Sequence, residues 1–368
     1  MTDAYAASGV DTEAGDLAVS LMKRAVSATH NDLVVGGLGG FAGMMDVSFL
    51  KSFDRPLLAT STDGVGTKVA IAQAIDKHDT IGQDLVGMVV DDIVVVGAKS
   101  LFMTDYIACG KVVPTRIADI VAGIANACAE VGVALLGGET AEHPGLLGPD
   151  EYDVAGAAVG AVEASKLLTA DRVQVGDIVL GLEASGFHSN GYSLVRKIIA
   201  DSKLDYRQSV AEFGSQSLGE ALLTPTRLYT AVLNDLLESP LGESVSAMSH
   251  ITGGGIAANL SRVLPKGVSL DVERASWSPS DLFRVVASWG GYDLKQLEGT
   301  WNLGLGFAVI VRGQAAAQIS EFLNAAGMKT WQLGIIESTP CDAELPGYVS
   351  EAKGVRGGAV RLIGNYAS

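Results

Sequence analysis

The sequence predicts two domains of mixed α/β or α+β type. The chain has 368 residues, more than the roughly 100–200 of a typical domain. Apolar residues make up 48% and charged residues 18%, enough to build packed cores. Strand-like and helix-like runs alternate on both sides of a break near residues 165–175.

The elements follow in order. Residues 1–15 are acidic and small and read as a loose arm. Apolar periodicity from Asp16 to Thr29 predicts a helix. GGLGGFAG at 36–43 is a loop, and PLLATST at 56–62 is a strand that stops at Asp63-Gly64. A helical run from His78 ends at Gly97, a stop signal. Strand 101–110, helix 115–132 and strands 133–138 and 153–162 complete the first half. In the second half a Gly-Asp turn precedes a strand within 173–185. Helical runs follow at 191–202, 224–238 and 254–264. Strand 267–272, helix 279–289, strand 305–311, helix 314–326 and strand 330–336 come last.

Charge narrows the function classes. The net charge is −16 and the pI about 4.7, which disfavours nucleic acid as a partner. An acidic chain binds phosphate only locally, through backbone N–H groups, a metal ion or a few placed cations. Cys109, Cys128 and Cys341 are odd in number and lack metal-ligand spacing, so they read as thiols in a reducing compartment. The first residues lack the basic flank and apolar core of a signal peptide, and no apolar run has the length of a membrane span. A cytoplasmic protein with no membrane partner is expected.

Six stretches carry chemistry. In GGLGGFAG, Gly36, Gly37, Gly39 and Gly40 leave backbone N–H groups uncovered, as phosphate-wrapping loops do. The stretch lacks the Lys-Ser/Thr ending of a P-loop, so a plain flexible turn stays open. In STDGVGTK (61–68), Asp63 at a strand end suits a metal ligand or an Asx-type turn. Lys68 faces a phosphate or solvent. In the apolar run 78–98, Asp84 and Asp91 fall on one helical line with Asp92 beside them. Acids in such a run are costly unless they face a cation, and hard oxygen ligands suit Mg²⁺. A polar stripe on an exposed helix is the alternative. Glu139 in LLGGETAEHPG (135–145) repeats the strand-end placement of Asp63, and the set reads as an assembled cation site. In SGFHSNGYSLVRK (185–197), His188, Ser189 and Asn190 crowd a helix start that could bind an anion or merely be capped. In HITGGGIAANL (250–260), His250, Thr252 and Gly253 precede another helix, as a second nest or a tight turn.

Taken together, GGLGGFAG, STDGVGTK, HDTIGQDLV, LLGGETAEHPG, YDVAGAAVG, HSNGYSLVRK and HITGGGIAANLSRVLP resemble, in order, the phosphoribosylformylglycinamidine cyclo-ligase (AIR synthetase) family. The resemblance covers residues of about 15 to 337. It implies a two-domain PurM-like fold. In it, an N-terminal sheet builds a barrel across a homodimer, and the C-terminal domain is an α/β sandwich. The domains would be 1–168, for ATP, Mg²⁺ and dimerisation, and 169–345, on the substrate side, with 346–368 a divergent tail.

The implied reaction converts formylglycinamidine ribonucleotide and ATP to aminoimidazole ribonucleotide, ADP and phosphate. ATP would phosphorylate the formyl oxygen, after which the amidine nitrogen closes the ring. By the same resemblance, Lys23 would meet the nucleotide phosphates and the four loop glycines would line the nucleotide site with Asp63, Lys68 and Asp92. Asp63, Asp92 and Glu139 would hold Mg²⁺. His188 and His250 would lie toward substrate, with His188 handling a proton or stabilising an oxyanion. Ser189, Asn190, Thr252 and Gly253 would contact substrate. Asp91 stands where the family usually has Asn, adding a charge beside Asp92. Two other readings remain: another ATP-dependent enzyme of the superfamily, such as a small-molecule kinase, or a nucleotide-binding regulator without turnover.

Overall fold

A computed structural model describes residues 11–37, 39–339 and 346–367. The chain forms two compact units. The first runs to Ile93 and resumes over Ala98–Ser165; the second comprises Val94–Gly97 and everything from Lys166 onward.

In the first unit the elements are α1 (Thr12–Ala28), β1 (Val34–Val35), β2 (Met44–Met45), β3 (Pro56–Gly64), α2 (Val69–Ile75), α3 (Ile81–Val94), β4 (Lys99–Cys109), α4 (Pro114–Glu130), β5 (Ala134–Glu142) and β6 (Tyr152–Glu163). The main sheet has the order β3-β6-β4-β5, with β4 and β5 parallel and the other pairs antiparallel. Its strands alternate. Met103, Asp105, Ile107 and Cys109 of β4 are buried while Thr104 and Tyr106 are exposed. One face is therefore core and the other open, the form of a half-barrel. Helix α1 packs on α4.

The second unit continues with β7 (Ile178–Glu183), α5 (Tyr192–Asp201), α6 (Leu218–Leu222), α7 (Thr230–Glu238), β8 (Val245–His250), α8 (Gly255–Ser261), β9 (Val268–Glu273), α9 (Asp281–Trp289), β10 (Leu305–Val311), α10 (Ala316–Ala325), β11 (Thr330–Ser338), β12 (Val349–Ala352) and β13 (Val355–Ile363). The seven-stranded sheet has the order β12-β13-β9-β11-β7-β10-β8. Both faces are covered. Leu180 and Val309 join Leu233 and Ile319 on one side, and Val179 and Ile310 join Ile256 and Leu260 on the other. This two-sided burial explains the unbroken apolar run of β10.

Several expectations are corrected. Helix α1 begins at Thr12, inside the expected arm, because the Asp11 carboxylate caps it by accepting from Ala14 N–H at 2.9 Å. Strands β3 and β5 run past their expected ends, since ladder pairing continues. Asp63 and Glu139 therefore lie within strands rather than after them. The helix expected over 224–238 starts only at Thr230, after Pro225. Helix α2, helix α6 and the wholly buried β8 were not expected. Part of the 346–368 stretch forms β12 and β13, the latter parallel to β9. Cys341 and Leu38 lie outside the described residues.

Candidate active site

The first unit holds a cavity of about 590 Å³. One wall is the inner stripe of α1, with Ala18, Met22 and Val26. The glycine-rich stretch forms a second wall through Gly37, Gly39 and Gly40. Strands β4 and β5 supply the third, from Thr104 and Asp105 to Gly137, Gly138 and Glu139. The stretch 36–43 connects β1 to β2, an antiparallel hairpin, so a short strand does precede it. Gly36 at φ 90° and Gly39 at φ 100° adopt the left-handed region that side chains avoid. An apolar wall facing bare backbone N–H groups suits a ligand with a flat ring and an anionic tail.

One residue here was missed in the sequence. Asp105 is 8% exposed, and burial lifts its carboxyl from the usual range to about 7. It occupies one cross-sheet row, Asp63–Gly156–Asp105–Gly138. A Cβ on Gly138 would overlap its Oδ1, so the glycine clears space for the carboxyl. The available signal was an acid at an inward position among Met103, Ile107 and Cys109.

The expected acids do not gather into one cage. Among the described residues no group of three or more His, Cys, Asp or Glu side chains could hold a metal ion. Asp63 and Glu139 sit on the first and last strands of the sheet, three strand spacings apart. That is about 14 Å along a flat sheet, too far for one ion's inner shell. Asp92 is exposed on α3, whereas its neighbour Asp91 is buried. Asp84 faces a cation, but the cation is Lys68. The Lys68 Nζ lies 2.8 Å from Asp84 Oδ1, and both side chains are 0% exposed. Burial lowers the Lys68 pKa, opposed by Asp84. Its ammonium thus forms a core ion pair with Asp84. Exposed carboxylates such as Asp63 and Glu139 still fit Mg²⁺, which takes one or two protein oxygens and fills its shell with water and phosphate. Lys23 is exposed on α1 and does not line the cavity.

In the second unit two predicted loops meet. Asn190 Oδ1 accepts from the N–H of Gly253 at 3.0 Å, tying residues 185–191 to residues 250–255. Asn259 Nδ2 donates to the carbonyls of Thr252 at 3.1 Å and Gly255 at 2.8 Å, fixing the second loop. Ser189, Asn190, Thr252 and Gly253 are part-exposed, whereas His188 and His250 are buried. His188 Nε2 accepts from Ser185 N–H at 3.2 Å, which leaves the ring proton on Nδ1. A Cβ on Gly306 would overlap both His188 and the Tyr229 hydroxyl, so that glycine admits the imidazole. His250 stacks on Phe307, ring centres 5.7 Å apart. Both imidazoles are buried, His188 within the first loop and His250 at the end of β8 beside the second.

Comparison with known proteins fits this two-unit layout. Residues 42–162 match the family described as AIR synthase related protein, N-terminal domain, and residues 174–343 match its C-terminal domain. The phosphoribosylformylglycinamidine cyclo-ligase of Synechocystis sp. is 45% identical over 332 residues, covering 90% of this chain and 96% of the relative. That of Shouchella clausii is 46% identical over 340 residues, covering 92% and 97%. Among solved structures, thiamine-monophosphate kinase from Stenotrophomonas maltophilia K279a aligns with a TM-score of 0.62 at 16% identity, over 95% of this chain and 97% of that one. The E. coli hydrogenase maturation protein HypE aligns at 0.60 and 19% identity, over 93% and 95%. At such identities the structures share the fold alone, the two-domain PurM-like architecture. The sequence relatives reach further, and by them the chain belongs to the phosphoribosylformylglycinamidine cyclo-ligase family of ligases.

Proposed function

We propose that the chain closes the imidazole ring of formylglycinamidine ribonucleotide in purine biosynthesis, using ATP and releasing ADP and phosphate. The observation that carries the reading is identity near 45% over nine-tenths of the chain to curated cyclo-ligases. The cavity of the first unit takes the nucleotide, with backbone N–H groups of Gly36, Gly37, Gly39 and Gly40 toward its phosphates. Lys23, on the exposed side of α1, reaches phosphate on its flexible stem. Asp63, Asp92 and Glu139 would each offer an oxygen to Mg²⁺, Asp63 and Glu139 to separate ions, with phosphate and water completing each shell; bound there, the metal would neutralise charge on the transferred phosphoryl group.

Ser189, Asn190, Thr252 and Gly253 contact the phosphorylated substrate, and His188 and His250 hold those loops in register. Phosphoryl transfer to the formyl oxygen depends on in-line placement and charge neutralisation, and ring closure depends on a confined substrate. The chain works in the cytoplasm as a homodimer. The open face of the four-stranded sheet supports the homodimer alone, since Leu58 and Tyr106 are 68% and 41% exposed there.

The test is incubation with ATP, Mg²⁺ and formylglycinamidine ribonucleotide, following aminoimidazole ribonucleotide and ADP. ADP and product should appear in equal amounts. A folded sample that binds ATP but yields no product would sink the reading.

A further inference from the structure

We infer that the Asp105 carboxyl accepts a hydrogen bond from the 6-amino group of the adenine ring, making it the residue that selects the base. The inference rests on reading the cavity of the first unit as the nucleotide site.

Three observations point there. Asp105 lines the cavity although more than nine-tenths of its surface is buried. Its row neighbours on both sides are glycines, Gly156 and Gly138, so no adjacent side chain in that row can hydrogen-bond the carboxyl. Its own backbone N–H meets the carboxyl but leaves acceptor capacity over, and a buried carboxyl lining a cavity with capacity to spare suits a ligand group that donates to it. The third observation is its surroundings. Val26, Val121 and Leu135 line the same cavity. Apolar walls beside a bare glycine floor at Gly137 and Gly138 admit a flat ring and repel a phosphate. The anionic tail then belongs at the glycine-rich stretch, where N–H groups are free of side chains. A carboxyl oxygen accepts from an amino group whether or not the acid carries its proton, so the contact does not depend on ionisation.

The experiment measures binding of Mg·ATP, of the 6-deamino analogue purine riboside triphosphate and of 2′-deoxy-ATP to the full-length protein by calorimetry. Wild type should lose about tenfold in affinity when the 6-amino group is removed, the scale of one buried hydrogen bond. In Asp105→Leu that penalty should vanish, and in Asp105→Asn, which keeps an acceptor oxygen, it should persist. An equal 6-amino penalty in wild type and Asp105→Leu overturns the inference while leaving the nucleotide reading intact. A penalty that couples to the 2′-hydroxyl instead also overturns it. If Asp105→Leu does not fold, a wild-type penalty below about twofold overturns it unaided. A wild-type protein that binds no ATP overturns the nucleotide reading and the inference together.

Discussion

Asn190 and Gly253, 63 positions apart in sequence, are joined by one hydrogen bond of 3.0 Å from the Gly253 N–H to the Asn190 side-chain oxygen. That bond fixes the separation of the two loops assigned to the substrate. Asn190→Ala should release it and raise KM for formylglycinamidine ribonucleotide by about tenfold, the worth of one such bond. Asn190→Asp keeps an acceptor and should recover most of the loss. Steady-state kinetics with a melting curve for each variant decide it. An unchanged KM in Asn190→Ala means the loops are held apart by other contacts.

The buried pair Lys68–Asp84 predicts an effect on stability rather than on nucleotide affinity. Lys68→Met removes the ammonium and leaves a carboxylate in the core, at a cost of about 3–5 kcal/mol. Lys68→Met with Asp84→Leu should regain much of that, since two apolar groups replace two charges. Urea unfolding of the single and double variants measures the difference. A single variant of wild-type stability with weakened ATP binding would restore Lys68 to the nucleotide.

Asp92 and Asp91 are neighbours with opposite burial, Asp92 exposed and Asp91 buried. Asp92→Asn should lower turnover at least about a hundredfold with little change in melting temperature, as expected for removal of a charge needed in phosphoryl transfer. Full turnover in that variant would refute its place at the metal. Asp91→Asn, at a buried position, should shift the melting temperature more than the rate.

What the sequence made legible divides by physical cause. The glycine-rich stretch and the loops at 188–191 and 250–255 were visible because glycine and polar clusters mark backbone geometry directly. The depth of Lys68 stayed hidden because its ion-pair partner, Asp84, lies 16 residues away. Asp105 stayed hidden because strand alternation assigns residues to a face without revealing what that face meets. Strand β8, VSAMSH, was overlooked for a related reason: buried on both faces, it shows no alternation.

Asp105 also predicts a pH dependence of stability. Its folded pKa of about 7 stands above the ordinary 3.8, with burial the main cause. Between those values the folded state retains a proton that the unfolded chain has released. Stability therefore falls as pH rises from about 4 to about 7, and levels off above. The buried thiol Cys128 stays protonated across this range, its pKa lifted by burial and, to a lesser degree, by the charge of Asp105. Asp105→Asn should flatten the slope and melt higher than wild type above pH 7. Melting curves from pH 5 to pH 8 in EDTA, without nucleotide, measure this. Parallel curves for the two proteins would show that the Asp105 carboxyl ionises normally.

The last prediction concerns the C-terminal stretch beyond the matched family domains. The Tyr366 hydroxyl donates to Glu298 Oε1 at 2.7 Å, and Trp277 packs edge-on against the Tyr366 ring. Arg274 grips the same carboxylate with Nε at 2.6 Å and Nη2 at 2.9 Å, and donates to the Gly364 carbonyl at 3.2 Å. The segment so anchored is the one that backs the substrate loops: a Cβ on Gly255 would overlap the Glu298 carbonyl, and a Cβ on Gly191 would meet the Trp301 ring. Closing residues, Glu298 and both loops thus form one packed chain of contacts within the second unit. Tyr366→Phe deletes one hydrogen bond and should cost about 1 kcal/mol. Deleting residues 364–368 removes the ring as well and should cost more. If the strap positions the loops, KM for formylglycinamidine ribonucleotide rises in both variants while KM for ATP does not. A strap that serves stability alone would lower the melting temperature and leave both KM values where they were, and that result would separate the tail from the site.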